Sequence, residues 1–208
     1  MSRTEYIKPN DYNKVYMVMQ YDNALALRTS LETGLRIGDV LALKPENIQG
    51  RTIHCTAQKT GKTVKKTISA DLCNRLKQIA GDKWIFTGRD GTDHKTRGAL
   101  WKDVKKASKE LGFSVNFGCH SARKTYAVEL FKEHGITDVQ KELQHDNLET
   151  TLLYVFAHLL KQDVPTSDTA VTDLSDTETE KEFAEAVALR VVEILEQKFC
   201  IDNKADTD

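Results

Sequence analysis

Arg51–Ser69, RTIHCTAQKTGKTVKKTIS, breaks the rhythm of the chain around it. Elsewhere apolar residues recur at three- and four-residue spacing, the period of helices with one buried face. Within RTIHCTAQ and TVKKTIS the pattern alternates instead and is enriched in Thr, Ile and Val, as in strands. The Thr60-Gly61 pair between the two runs marks a hairpin connection, with Lys59 where a strand enters the tight turn. Two strands inside a helical sequence predict a mostly helical α+β fold with a small antiparallel sheet.

Working outward, residues 10–20 and 22–33 read as two helices, the second with Asp22 as N-cap and Gly34 as C-cap. LRIGDVLAL forms a short third helix on Leu35, Ile37, Val40, Leu41 and Leu43, ended by a turn at Pro45 and Asn47. Beyond the hairpin, ADLCNRLKQIAG places Leu72, Leu76 and Ile79 on one helical face, and KWIFTGRDG reads as a short buried strand and a turn. ALWKDVKKASKELG carries an apolar stripe of Leu100, Trp101, Val104, Ala107 and Leu111, with Trp101 assigned to the core. Residues 121–133 form the next helix, and ITDVQKELQH and LETTLLYVFAHLL two more, separated by a turn at Asp146-Asn147.

Composition narrows the classes. A chain of 208 residues with 39% hydrophobic content buries one main core. Its four cysteines, Cys55, Cys73, Cys119 and Cys200, stand far apart without a CxxC pair, so they read as reduced thiols and not as a zinc site or disulfide framework. Neither an eighteen-residue apolar run nor a secretory leader is present, which predicts a cytoplasmic protein with no membrane partner. The net charge of −1 conceals two halves of opposite sign. Residues 161–208 hold 13 acidic against 5 basic side chains, which leaves 25 basic against 18 acidic in residues 1–160. A basic body predicts a polyanionic partner, although a solvated lysine-rich surface gives the same count.

The expected organisation is a body over 1–160, an acidic flexible linker over 161–180, an amphipathic helix over 181–201 and a disordered tail over 202–208. The helix aligns Phe183, Val187, Val191, Ile194 and Leu195 on one face and wants a groove in its own chain or a neighbour's.

CHSARKTY at 119–126 concentrates charge. His120 and Arg123, three residues apart, share a helix face, and an imidazole beside a guanidinium fork suits a phosphate better than a metal. Alone, such a pair is usually surface decoration. Four segments taken in order change the reading. TGLRIGDVLAL resembles the first arginine motif of the tyrosine recombinase (phage integrase) family, and QKTGK resembles its hairpin lysine. HSARKTYA resembles its His-x-x-Arg box, and LQHDNLETTLLY its final histidine-to-tyrosine segment. The resemblance covers roughly residues 10–160 and rests on order and spacing.

It implies the catalytic-domain fold of that family and a set of roles. Arg36 and Arg123 would clamp the scissile phosphate, and Tyr154 would be the nucleophile. Lys59 would be the general acid for the leaving 5′-hydroxyl and His120 a general acid/base near the tyrosine. His145 would donate a hydrogen bond to a phosphate oxygen, and Asp39 would orient an active-site arginine or histidine. Lys62, Lys65, Lys66 and Lys124 would contact DNA. Attack by a phenol on a phosphodiester gathers negative charge on the non-bridging oxygens, so preorganised cations are the main catalytic requirement, and no metal or cofactor is implied. Covalent catalysis conserves the phosphodiester as a phosphotyrosine, so strands rejoin without ATP.

The implied substrate is double-stranded DNA, and the implied reaction is site-specific recombination or integration through a 3′-phosphotyrosyl intermediate by dimers or tetramers. Two rivals remain at this point, type IB topoisomerase-like nicking and resealing, and a non-catalytic DNA-binding relic. Without the upstream motifs Tyr154 would read as a core aromatic. Tyr126 is a competing hydroxyl beside the His-Arg box whose apolar setting suggests packing. His54, His94, His134 and His158 match no motif.

Three departures from the family pattern are visible. Only about twenty residues precede the catalytic body where the family carries a helical clamp domain, which predicts weak, salt-sensitive DNA binding and an accessory protein supplying the clamp. Gln144 stands where a glycine commonly precedes the histidine. The acidic tail either docks on a neighbouring protomer or shields the basic face.

Overall fold

The computed structural model describes residues 4–134 and 136–143. The predicted helix over LETTLLYVFAHLL, the linker and the C-terminal helix lie outside the described residues, and with them His145, His158, Tyr154 and Cys200.

Helices α1 (Asp11–Val18) and α2 (Tyr21–Thr33) come first. α2 starts earlier than the sequence suggests. Gln20 occupies the N-cap position and Asp22 falls inside the first turn, where its carboxylate accepts the Asn23 amide at 2.9 Å and pairs with Lys95. An acidic group there still suits the positive end of the helix. Gly34 closes α2 in the left-handed region, at φ 68°, as the sequence predicts.

The short helix α3 (Ile37–Leu41) follows, then a single 3-10 turn at Pro45–Asn47. The sheet has three antiparallel strands in sequence order, β1 (Ile48–Gln49), β2 (Thr52–Thr56) and β3 (Thr63–Thr67), the two-residue β1 being an addition to the predicted pair. In the β2–β3 register Ile53 pairs with Lys66, His54 with Lys65 and Cys55 with Val64. Alternation therefore gives the inner face Ile53, Cys55, Val64 and Lys66, and the outer face His54 and Lys65.

Helix α4 (Ala70–Ile79) begins at Ser69, whose hydroxyl accepts the Leu72 amide at 3.2 Å, and buries Leu72, Cys73 and Leu76. The predicted strand in KWIFTGRDG does not form. Ile85 and Phe86 are buried as expected, but their backbone is served piecemeal, Ile85 N–H by the Leu43 carbonyl and the Phe86 carbonyl by Lys95 N–H. Only one isolated bridge, Thr87 to His94, has strand character.

Helix α5 (Arg97–Glu110) is capped by the Thr96 hydroxyl, which accepts the Ala99 amide at 3.1 Å. Leu100, Val104 and Ala107 are buried, the first two being worth roughly 1.5–3 kcal/mol each relative to exposure. Trp101 departs from the expectation and is 51% exposed. One residue beyond Leu100 is about 100° around the helix, off the i, i+4, i+7 stripe that faces the core.

Helices α6 (Ser121–His134) and α7 (Ile136–Leu143) complete the described chain. The buried Thr125 seats α6 against the N-terminal segment. Its hydroxyl donates to the Ile7 carbonyl at 3.0 Å and lies 3.2 Å from the Tyr12 hydroxyl. Tyr12 packs edge-on to Phe117 with centroids 6.0 Å apart. Packed α1, α2, α5 and α6 thus fix the two places from which the site residues arise. No described helix is long and apolar enough to cross a membrane.

Candidate active site

Arg36 emerges from a tightly tied turn. Beyond the Gly34 cap, the Ser30 hydroxyl donates to the Leu35 carbonyl at 2.8 Å and the Leu35 amide donates to Thr33 Oγ1 at 3.2 Å. Leu35 and Ile37 are buried on either side, so the extended Arg36 at the head of α3 projects from a fixed base. Its side chain is half-buried and makes no hydrogen bond or ion pair among the described residues.

His120 immediately precedes α6, and Arg123 lies in its first turn. Arg123 reaches both neighbouring segments. One guanidinium nitrogen donates to the Gly34 carbonyl and the other to the Leu143 carbonyl at 2.8 Å. The same side chain thereby ties the turn before Arg36 to the end of α7, two residues ahead of His145. Two of the five N–H groups of a guanidinium are accounted for by these bonds. Tyr126 on α6 lies against Gly34, where a side chain at position 34 would overlap its ring. Burial first, then Glu142, push the Tyr126 phenol up to about 12, which suits the packing role expected for it.

Lys59 stands exposed in the β2–β3 connection, which is closed by the Ala57 amide donating to the Lys62 carbonyl at 2.9 Å. Gly61 adopts φ 66° there, the backbone geometry expected of the Thr60-Gly61 pair. Asp39 holds this connection to α3. Its buried carboxylate accepts the Gln58 amide at 2.9 Å, next to Lys59, while the other carboxylate oxygen is buried with no partner among the described residues. The sequence assigned Asp39 to orienting an arginine or histidine. Among the described residues its hydrogen bond goes instead to the hairpin backbone.

The hairpin lysines divide by the pleat. Lys62 and Lys65 are exposed. Lys66 contradicts its expected place among the DNA-contacting lysines, being 9% exposed, paired with Glu142 of α7 and lying 5.5 Å from the centre of the Tyr126 ring. Its position two residues after the buried Val64 turns it inward, and its charge is neutralised inside the fold. Lys124 likewise spends its ammonium locally, on the Thr4 carbonyl.

The cations converge on His120. Partial removal from water comes first, followed by the positive charges of Arg97, Arg123, Lys124 and Arg36, and together they lower the imidazole below its ordinary value of 6.5. The ring is therefore neutral at pH 7. The adjacent Cys119 thiol is pushed up to about 11, chiefly by burial, and is protonated. The structure thus brings together Arg36, His120, Arg123 and Lys124, and ties the Lys59 hairpin to the same short helix.

Arg97, the first residue of α5, went unnoticed in the sequence. Its only signal there was its place after a Thr cap in a helix whose first turn has no acidic residue. Gln58 was also missed, because a backbone amide leaves no mark in sequence.

Residues 5–162 match the phage integrase family. Transposase A from transposon Tn554 of Staphylococcus aureus is 28% identical over 163 residues, an alignment covering 67% of this chain and 44% of that protein. The chain therefore spans less than half the length of that relative. A lambda integrase dimer bound to a COC′ core site superposes with TM-score 0.65 at 18% identity, covering 83% of this chain and 52% of the other. XerH recombinase bound to palindromic difH gives 0.60 at 22% identity, covering 72% and 48%. The lambda integrase catalytic core gives 0.59 at 20% identity, covering 69% of this chain and 92% of that one. The helical body and the three-stranded sheet thus match the fold of these recombinases, and the chain belongs to the phage integrase family.

Proposed function

We propose that the chain is the catalytic part of a site-specific DNA recombinase or integrase that cuts and rejoins double-stranded DNA through a 3′-phosphotyrosyl intermediate. The observation that carries the reading is the gathering of Arg36, Arg123 and Lys124 around a neutral His120, with the Lys59 hairpin anchored to the helix that follows Arg36.

In this mechanism the Tyr154 oxygen attacks the scissile phosphorus while the bond from phosphorus to the 5′ oxygen breaks. Neutral His120 takes up the phenol proton, and Lys59 supplies a proton to the departing 5′ oxygen. Arg36 and Arg123 hold the non-bridging oxygens, and His145 donates a further hydrogen bond. Each such donor is worth on the order of 3 kcal/mol where charge develops in a site shielded from water. Attack by a 5′-hydroxyl from another strand reverses these transfers and releases Tyr154, so the backbone is rejoined without an external energy source.

Double-stranded DNA and further protomers are the partners this reading requires. Its support includes the DNA-bound lambda integrase dimer and the lambda integrase tetramer on a Holliday junction among the structural relatives.

Supercoiled plasmid incubated at low salt and quenched with detergent tests the proposal. Relaxed product and covalently attached protein are expected from the wild type, and neither from Tyr154→Phe. DNA binding without adduct, on plasmid and on nicked duplex alike, would remove the catalytic reading.

A further inference from the structure

Arg97 lies outside the residues that the sequence motifs assign to the site, and its surroundings supply no reason for a cation. It is exposed and makes no hydrogen bond or ion pair among the described residues. It begins a helix whose first turn contains no carboxylate, the helix end where a positive charge is disfavoured. Arg36, Arg123 and Lys124 also surround the nearby imidazole, so Arg97 adds to a local excess of positive charge.

Its placement is specific. A methyl group built on Gly38, two residues beyond Arg36, would meet Arg97 Cδ at 3.7 Å and Gln58 Oε1 at 4.0 Å. The stem of Arg97 thus lies beside the bare backbone of α3, flanked by the hairpin residue that Asp39 anchors. Arg97 and Gln58 therefore approach the same backbone position of α3, two residues beyond Arg36.

We propose that Arg97 is an additional phosphate-binding residue, engaging a DNA backbone phosphate at or next to the one held by Arg36 and Arg123. The assignment rests on the DNA-cleaving reading above and extends it by one ligand-contacting side chain. A guanidinium with no partner among the described residues can give two parallel N–H bonds to one phosphate, which an ammonium cannot reproduce. A phosphodiester would also relieve the crowding of like charges that the unliganded fold sustains.

Salt dependence separates this role from a structural one. Binding of the full chain to a fluorescent mixed-sequence duplex would be followed by anisotropy across a range of ionic strengths, for the wild type, Arg97→Ala and Arg97→Lys. Loss of one phosphate contact lowers the slope of log K against log salt by about 0.9. Arg97→Ala is expected to show that smaller slope with an unchanged melting temperature, and Arg97→Lys to restore the slope. On nicked duplex, adduct formation by Arg97→Ala is expected to fall at least tenfold at equal DNA occupancy.

Wild-type slope and wild-type adduct yield in Arg97→Ala would overturn the assignment while leaving the DNA-cleaving reading intact. Absence of DNA binding by the wild type at low salt would overturn both. A lowered melting temperature in Arg97→Ala, with the slope unchanged in both variants, would reassign Arg97 to the scaffold.

Discussion

Two arginine clusters in this protein are built in opposite ways. On the outer side of α2 and α4, Arg28 bonds Glu32 at 2.9 Å, Asp71 at 2.7 Å and the Ser69 hydroxyl at 3.3 Å. Arg75 bonds the same Asp71 at 2.9 Å and the Tyr21 hydroxyl at 3.2 Å. Glu32 in turn accepts the Ser69 amide at the start of α4. Hydrogen bonds from Arg28 and then Arg75 hold the Asp71 carboxyl below its usual range. At the head of α3 the arrangement is inverted. Arg36 and Arg97 have no acidic partner among the described residues, Arg123 bonds two backbone carbonyls, and Asp39 spends its carboxylate on a backbone amide. In the first cluster paired charges join helices, whereas in the second four cations surround one histidine. On the reading proposed above, the first cluster is scaffold and the second holds a phosphate.

Substitutions at the two clusters should therefore separate activity from stability. The largest effect is expected from Arg36→Ala, with covalent adduct on nicked duplex falling on the order of 10²–10³-fold. Its thermal unfolding should stay near that of the wild type, since no hydrogen bond among the described residues is lost. A cleavage-competent Arg36→Ala would erase the distinction drawn between the clusters.

Gly34→Ala attacks the base on which Arg36 stands. The left-handed backbone and the Tyr126 ring both oppose a methyl group, so urea denaturation should show a loss of roughly 2–4 kcal/mol. Asp39→Ala comes next. Leaving the Gln58 amide without its acceptor is expected to cost about 1–3 kcal/mol. Faster hydrogen exchange at Gln58 and Lys59 would locate the loss in the hairpin, and unchanged exchange there would break the proposed anchor.

The imidazole gives a subtler test. Because the folded protein disfavours charged His120, the unfolded chain binds more protons, and stability rises with pH through that transition. The contribution is present in full above the ordinary value of 6.5 and declines as pH falls below it. Denaturation midpoints of the wild type and His120→Gln, compared between pH 7.5 and 5, should diverge only in the acid arm. DNA should raise the His120 pKa, read by NMR titration, because a phosphate offsets the neighbouring cations. The smallest effect is expected from Arg75→Ala, with DNA binding and cleavage unchanged and only a slight fall in melting temperature, as for other exposed ion pairs.

Much of this architecture was legible in sequence for identifiable reasons. Gly34 and Gly61 announced left-handed turns, and the alternation in Arg51–Ser69 announced the sheet. That alternation already contained the fate of Lys66, since two residues from an inward Val64 is inward again, but four lysines on one hairpin drew attention to charge before pleat. The missed features depend on nonlocal contacts. Glu142 meets Lys66 across 76 residues, Asp39 meets the Gln58 amide, and the stem of Arg97 lies beside Gly38 of α3. Ile85 and Phe86 were correctly placed in the core yet form no strand, because their backbone partners come singly from Leu43 and Lys95.

The central claim is that the cations around His120 serve a phosphotyrosyl transfer, and mapping the covalent linkage tests it most directly. Wild-type protein trapped on nicked duplex would be digested with nuclease and protease and its peptides analysed by mass spectrometry. The account predicts a nucleotide remnant on Tyr154, strongly diminished in Arg36→Ala and undiminished in Arg75→Ala. A remnant on Tyr126 or another residue, or DNA-bound protein that carries none, would contradict it.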